Sequence, residues 1–191
     1  MSFSGDVKAE LCRAELGRGC CARAEVYGAL LCCNTFTSRE VRLITECGSF
    51  ARRLPELLDR AFGLAFDRLP GEGERKYVLQ LTDAGKISRI IDAFGFDSRQ
   101  SPVLHINFGL LEEDCCRAAF LRGAFLAGGS VTEPSKRYHL ELATSHAQAS
   151  RELMVLLTEM GCRPRRTVRG GSQVVYFKSS GQIEELLTLM G

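Results

Sequence analysis

Apolar residues recur along the chain with two different periods. Leu54, Leu57, Leu58, Ala61 and Phe62 fall at helical spacing and the run stops at Gly63, which predicts an amphipathic helix closed by glycine. Residues 152–161 repeat that pattern and end at Gly161. Strict alternation over 41–45 and 138–144 predicts half-buried strands. Two more alternating pairs, 64–69 with 77–81 and 162–168 with 173–178, flank the glycine-rich stretches PGEGE and GGS and read as hairpins. Helices are expected over 22–33 and 117–128, and short closing helices from near Gly85 and Gly181. In front, Ser4 can cap a helix over 5–16.

These elements come twice. CCARAEVYGALLCCNTF at 20–36 aligns without a gap on CCRAAFLRGAFLAGGSV at 115–131, an offset of 95 residues. The ends correspond as well: VLQLTDAGKISRIIDAFG at 78–95 resembles VVYFKSSGQIEELLTLMG at 174–191. A repeat of this length is one supersecondary unit used twice. Each unit reads αββαββ plus a closing helix, which divides the chain into a leading segment 1–19 and repeats 20–110 and 111–191. The first helix of each unit carries small residues four apart, Ala24, Gly28, Cys32 and Ala119, Gly123, Ala127, on one face. Such faces let backbones approach closely, so these two helices are expected to pack on each other along a pseudo-twofold axis.

Composition changes this picture little. At 45% hydrophobic and 25% charged, the chain has the balance of a folded domain and excludes a mostly disordered one. Its apolar runs are too short for a bilayer, so no membrane partner is expected. The opening MSFSGDVKAELC carries Asp6 and Glu10 and lacks the features of a secretory signal, so a cytoplasmic location is expected. Nine cysteines occur without a C-x-x-C, and His105, His139 and His146 show no ligand spacing beside them. They are expected to be reduced, buried and used as small apolar residues, with no metal and no cofactor. His105, in VLHINFGLL, reads as a satisfied histidine between the repeats.

Charge is unevenly spread. The net charge is only +2, yet residues 134–180 hold eight bases against three acids. A basic cluster of this kind is the electrostatic footprint of a polyanion partner.

LRGAFLAGGSV at 121–131 resembles the signature helix of the LAGLIDADG homing endonucleases. With SFSGDVKAELCR near the start and VVYFKSSGQIEELLTLMG at the end, the whole chain resembles the N-terminal region of the WhiA family, bacterial regulators of sporulation and cell division. The resemblance implies an α+β fold, a duplicated αββαββ LAGLIDADG-like repeat with pseudo-twofold symmetry plus an N-terminal helix. It also implies a C-terminal helix-turn-helix domain that lies outside these residues. In the nucleases each signature helix ends on a metal-binding acid. The match puts Cys33 and Gly128 at those positions, and Leu31 and Leu126 at the earlier acid positions. Hard cations want carboxylate oxygens, so both metal positions are degenerate and no catalytic residue and no enzyme activity is expected.

The sheets of such nucleases form a saddle over DNA. The matching bases here are Lys136, Arg137, Arg163, Arg165, Arg166, Arg169 and Lys178, the candidate DNA-binding residues. Alternation sends Arg163 and Arg165 to one face and Arg166 to the other, with Arg169 starting the turn. The first repeat is poorer, because Arg68, Arg75 and Lys76 stand near Glu72 and Glu74. The expectation is a monomeric, nucleoid-associated, non-catalytic domain of a transcription regulator. It would touch double-stranded DNA weakly and without sequence preference, and other transcription proteins are further candidate partners. The alternative is a protein-interaction module with no direct DNA contact.

Overall fold

The computed structural model describes residues 2–191, and in them one set of elements follows another of the same kind. A short helix α1 (Phe3–Leu11) comes first. The first set is α2 (Gly19–Leu31), β1 (Thr35–Phe36), β2 (Val41–Thr45), α3 (Gly48–Phe62), β3 (Tyr77–Leu81) and α4 (Ala84–Ala93). The second is α5 (Asp114–Gly128), β4 (Gly129–Val131), β5 (Leu140–Thr144), α6 (Ala147–Glu159), β6 (Arg165–Arg169), β7 (Ser172–Phe177) and α7 (Ser180–Met190). A linker with one 3-10 turn, Phe108–Leu110, joins them. The result is α+β, with two antiparallel sheets in the orders β1-β2-β3 and β4-β5-β7-β6.

The two glycines of the repeat decide how the halves meet. A methyl group on Gly28 would lie 2.0 Å from the Phe120 carbonyl oxygen, and one on Gly123 would lie 2.0 Å from that of Glu25. Phe120 and Glu25 are themselves equivalent under the 95-residue offset, so the contact is reciprocal, as a pseudo-twofold axis between α2 and α5 requires. Both helices are buried over most of their length, which explains why neither shows a polar face.

The sheets close the core on either side. Leu43 faces Leu79 and Val41 faces Leu81 in the first; Leu140 faces Phe177 and Leu142 faces Val175 in the second. All eight are buried. Helix α3 lays Phe50, Leu54, Leu57, Leu58 and Ala61 on the same core and stops at Gly63, whose φ of 63° suits glycine.

Several boundaries differ from the sequence reading. Helix α1 starts earlier, with Ser2 rather than Ser4 as its cap, and ends at Leu11 rather than residue 16. The Ser4 hydroxyl accepts from Val131 N instead, tying α1 to β4. Helices α2 and α5 both begin three residues before the expected start. Helix α3 begins at Gly48, well before Leu54, and Pro55 lies inside it. Residues 64–69 form no strand. Arg68 alone bridges to Gln80, and the carboxylate of Asp67 pins the segment by accepting from Thr82 N, Asp83 N and Lys86 Nζ at 2.7, 2.9 and 2.5 Å. Glycine-rich residues between Leu69 and Tyr77 form a long connection, whereas Gly170-Gly171 makes a tight turn that keeps β6 and β7 in register.

A buried ion cluster has no precedent in the sequence pattern. Glu25 is fully buried on α2 and accepts from Arg53 at 2.7 and 3.0 Å and from Arg122 at 3.0 Å. Arg53 also donates to the carbonyls of Cys12, Ala14 and Glu15, and Arg122 to that of Met190. The cluster thus fastens the segment after α1 and the end of α7 to the central helix pair. Arg122 Nε is buried with no partner among the described residues.

Candidate nucleic-acid interface

Strand parity decides which side chains stand on the sheet face turned away from the helices. Glu141 lies opposite Tyr176, and Tyr176 opposite Arg165, so all three share that face with Thr167 and Arg169. His139 stacks on Tyr176 with ring centroids 5.7 Å apart, and Lys178 Nζ lies 5.7 Å from the Tyr176 ring. Arg163, Arg165, Tyr176 and Lys178 line one shallow cavity of about 190 Å³, where Gln182 accepts from Arg163 N at 2.7 Å.

Charge on this face is part paired and part free. Arg169 grips Glu141 through both oxygens at 2.5 and 3.2 Å, and His139 Nε2 lies 2.9 Å from Glu141. The Arg169 guanidinium holds the Glu141 carboxyl below the usual carboxylate range. Lys136 is paired with Glu133 at 3.3 Å. Among the described residues Arg163, Arg165, Arg166 and Lys178 have no acidic partner within ion-pair distance. Arg166 lies opposite the buried Val175, on the other side of the edge strand from Arg165, and is exposed. Arg137 is exposed on the β4–β5 connection.

The other sheet offers less. Its open face carries Arg42, exposed and opposite Gln80, with Arg68 bridging to the same Gln80. Arg42 escaped the sequence reading, although it is the one charged residue in VRLIT and sits out of phase with Val41 and Leu43.

Cys33 and Gly128 lie where α2 and α5 end. A methyl group on Gly128 would fall 2.4 Å from the Ala143 carbonyl oxygen and 2.6 Å from that of Cys32. No side chain fits there without moving backbone. Cys33 Sγ donates to the carbonyls of Leu30 and Thr35 at 3.2 and 3.1 Å, and burial pushes its thiol up to about 12. A neutral, carbonyl-bonded thiol and an absent side chain do not fit the oxygen coordination of Mg²⁺ or Mn²⁺.

Residues 117–191 match the family model described as the WhiA LAGLIDADG-like domain. A probable cell division protein WhiA of Ruminiclostridium cellulolyticum is 34% identical over 200 residues, covering 100% of this chain and 64% of the relative. Over residues 117–191 the chain carries a WhiA LAGLIDADG-like domain, and along its whole length it is similar to WhiA proteins. It spans less than two thirds of the length of the first curated WhiA relatives it matches. The fold agrees with the N-terminal LAGLIDADG domain of a DUF199/WhiA protein, with a TM-score of 0.77, 20% identity and 100% and 90% of the two chains covered. It also agrees with the homing endonuclease I-DmoI, solved in complex with DNA and Mn, with a TM-score of 0.63, 12% identity and 91% and 98% covered.

In this WhiA-type fold the expected basic residues do not act alike. Arg163, Arg165 and Lys178 gather around Tyr176, as strand alternation implies. Arg169 belongs to β6 rather than to the turn and is neutralised by Glu141, which alternation along one strand could not reveal. The cysteine reading holds for Cys21, Cys32, Cys33, Cys47 and Cys116, which are buried. It fails for Cys20 and Cys115, which are exposed. It fails too in spacing, because Cys20, Cys21 and Cys116 converge across the two repeats. His105 is satisfied, with Nδ1 3.2 Å from Glu152.

Proposed function

We propose that this chain is a non-catalytic domain of a WhiA-type regulator of sporulation or cell division that contacts duplex DNA through the open faces of its two sheets. The observation that carries this reading is the unpaired group of Arg163, Arg165 and Lys178 around Tyr176, on a fold shared with an endonuclease solved on DNA. Arginine forks suit phosphate oxygens. No base-reading element is needed for such contact, so it is weak, asymmetric between the repeats and largely independent of sequence. Most of the regulator's affinity then comes from elsewhere in the longer protein, and this part acts as a cytoplasmic, nucleoid-associated monomer. No helix among the described residues is long and apolar enough to cross a membrane.

Cleavage is not part of this role, because Cys33 and Gly128 stand at the two metal positions. Incubation with plasmid and Mg²⁺ or Mn²⁺ leaves the plasmid intact, and Cys33→Asp with Gly128→Asp does not restore nicking, since an aspartate at 128 has no room. Specific nicking by the wild-type chain overturns the reading. Binding itself is tested by fluorescence polarisation with labelled duplexes of unrelated sequence over a salt series. Similar affinities that fall with salt support it; salt-insensitive binding or none contradicts it.

A protein-interaction role is favoured by one observation. Strand β6 is an exposed edge along its whole length, with Val168 61% accessible, and an open edge can take an added strand from a partner.

A further inference from the structure

Helices α2 and α5 run side by side in the same direction, because the Gly28 and Gly123 contacts and the Cys32–Gly128 contact hold in one register. Their C-termini meet below the open sheet faces. Their N-termini meet about 18 Å away, at 1.5 Å per residue. There the pair Cys20-Cys21 faces its own repeat equivalent, Cys115-Cys116, each pair occupying the second and third positions of its helix. The sulfurs of Cys20, Cys21 and Cys116 all lie within 4.8 Å of one another. Cys115, the repeat equivalent of Cys20, lies beside this group without belonging to it and, being exposed, can turn in as the fourth ligand.

We propose that Cys20, Cys21, Cys115 and Cys116 form a four-thiolate site for Zn²⁺ that clasps the two repeats together at the N-terminal ends of α2 and α5. Tetrahedral zinc with sulfur at about 2.3 Å sets its ligands about 3.8 Å apart, within the spacing already present among Cys20, Cys21 and Cys116. Cys20 and Cys115 are exposed and can take up the remaining adjustment. Four sulfurs without carboxylate or imidazole select a soft or borderline ion over Mg²⁺ or Ca²⁺. The surroundings favour thiolates. Neither helix spends its first-turn N–H groups on a capping side chain, so the positive ends of both dipoles remain directed at the cluster. Arg18 Nη2 donates to Cys115 Sγ at 3.0 Å and places a positive charge beside the cluster. Cys20 and Cys116 open onto a cavity of about 200 Å³ shared with Glu112 and Glu113, which gives the ion a way in.

No C-x-x-C is needed for this arrangement. Each helix supplies two neighbouring cysteines, and the pseudo-twofold axis supplies the second pair. The site stands apart from the basic sheet face and does not depend on the DNA-binding reading.

The test uses the whole 191-residue chain, reduced and free of oxygen. Titration with Co²⁺ is expected to give the intense sulfur-to-cobalt charge-transfer band of a tetrahedral thiolate site, saturating near one ion per chain. Zn²⁺ displaces the cobalt, releases protons and raises the melting temperature. Cys20→Ser with Cys115→Ser changes two exposed residues and keeps the fold, which circular dichroism checks. It weakens cobalt and zinc binding by more than about 100-fold, beyond the usual effect of losing an outer-shell partner. Cys162→Ser leaves binding unchanged. The proposal is overturned if the reduced, folded chain shows no cobalt band and no thermal shift. It is equally overturned if the double variant binds like the parent, or if the four sulfurs prove to be disulfide-linked and still take no metal after reduction.

Discussion

Tyr27 and Arg122 hold equivalent positions in the two repeats, yet they build different interiors. Tyr27 stacks on Phe94 with ring centroids 4.1 Å apart and meets Phe120 edge-on. Arg122 bonds Met190 O at 2.7 Å and Glu25 at 3.0 Å. Met190 is the counterpart of Phe94, and Glu25 that of Phe120, so three positions that are all aromatic on one side of the axis hold, on the other, an Arg–Glu ion pair and a methionine whose backbone carbonyl accepts from the arginine. Outside the core the contrast continues. The second repeat has a full fourth strand bearing the bases, and the first has the Arg68–Gln80 bridge and the Asp67 carboxylate. A duplicated backbone therefore keeps only what its axis requires, the close approach at Gly28 and Gly123, while the side chains around it are free to diverge.

Substitutions at the axis should have the largest effect. Gly123→Leu puts a side chain where even a methyl group would lie 2.0 Å from the Glu25 carbonyl oxygen, and the neighbour is backbone that cannot swing away. Overpacking commonly costs about 1–3 kcal/mol and more against rigid backbone; loss of the cooperative melt is expected. A parent-like melting temperature would mean that the glycines do not set the axis.

The two interiors should then separate. Glu25→Ala leaves Arg53 and Arg122 buried without their carboxylate, which typically costs about 3–5 kcal/mol. Tyr27→Phe removes one hydroxyl, which donates to His105 O and accepts from Asn107 N at 2.8 Å, and costs about 1 kcal/mol. Denaturant unfolding measures both, and equal effects would abolish the distinction.

The smallest stability effect lies in the first repeat's missing strand. The hydrogen bond from Lys86, with those from Thr82 N and Asp83 N, pushes Asp67 down to about 2. The folded pKa is lowered, so this stabilisation is complete above the unfolded value near 4 and is lost as pH falls toward 2. Asp67→Asn should flatten that part of the pH–stability curve while leaving neutral-pH stability lower. An unchanged acid limb would show that Asp67 does not hold the segment.

Much of the fold was legible because its rules act along the chain. Helical spacing, alternation and the repeated small-residue face are local, and the axis followed from that face, Ala24, Gly28 and Cys32 with Ala119, Gly123 and Ala127. What escaped depends on neighbours distant in sequence. Glu25 and Arg122 carry no signal along the chain, and only the packing of α2 on α5 brings them together. Residues 64–69 alternate like a strand, but their long connection to β3 provides no turn to fix the register. In the candidate interface, parity placed Arg165 and Arg166 on opposite faces, whereas the Glu141 partner of Arg169 comes from a strand 28 residues away. The four cysteines escaped for the same reason, since a spacing rule looks along one segment and the axis joins two.

The free bases of the second sheet are proposed to hold phosphates while its paired base does not. The most direct measurement is the salt dependence of duplex binding for the parent and for Arg163→Gln, Arg165→Gln, Arg166→Gln and Arg169→Gln combined. The combined variant should fold like the parent, since these side chains are exposed. Its affinity should fall similarly on unrelated duplexes, and its slope of log K against log salt should become shallower by about 0.9 for each phosphate it no longer neutralises. Arg169→Gln alone should change the slope least, because Glu141 already neutralises that guanidinium. A folded combined variant with the parent's affinity and slope would contradict the claim and leave the sheet face as a solvated surface, with partner proteins rather than DNA as its business.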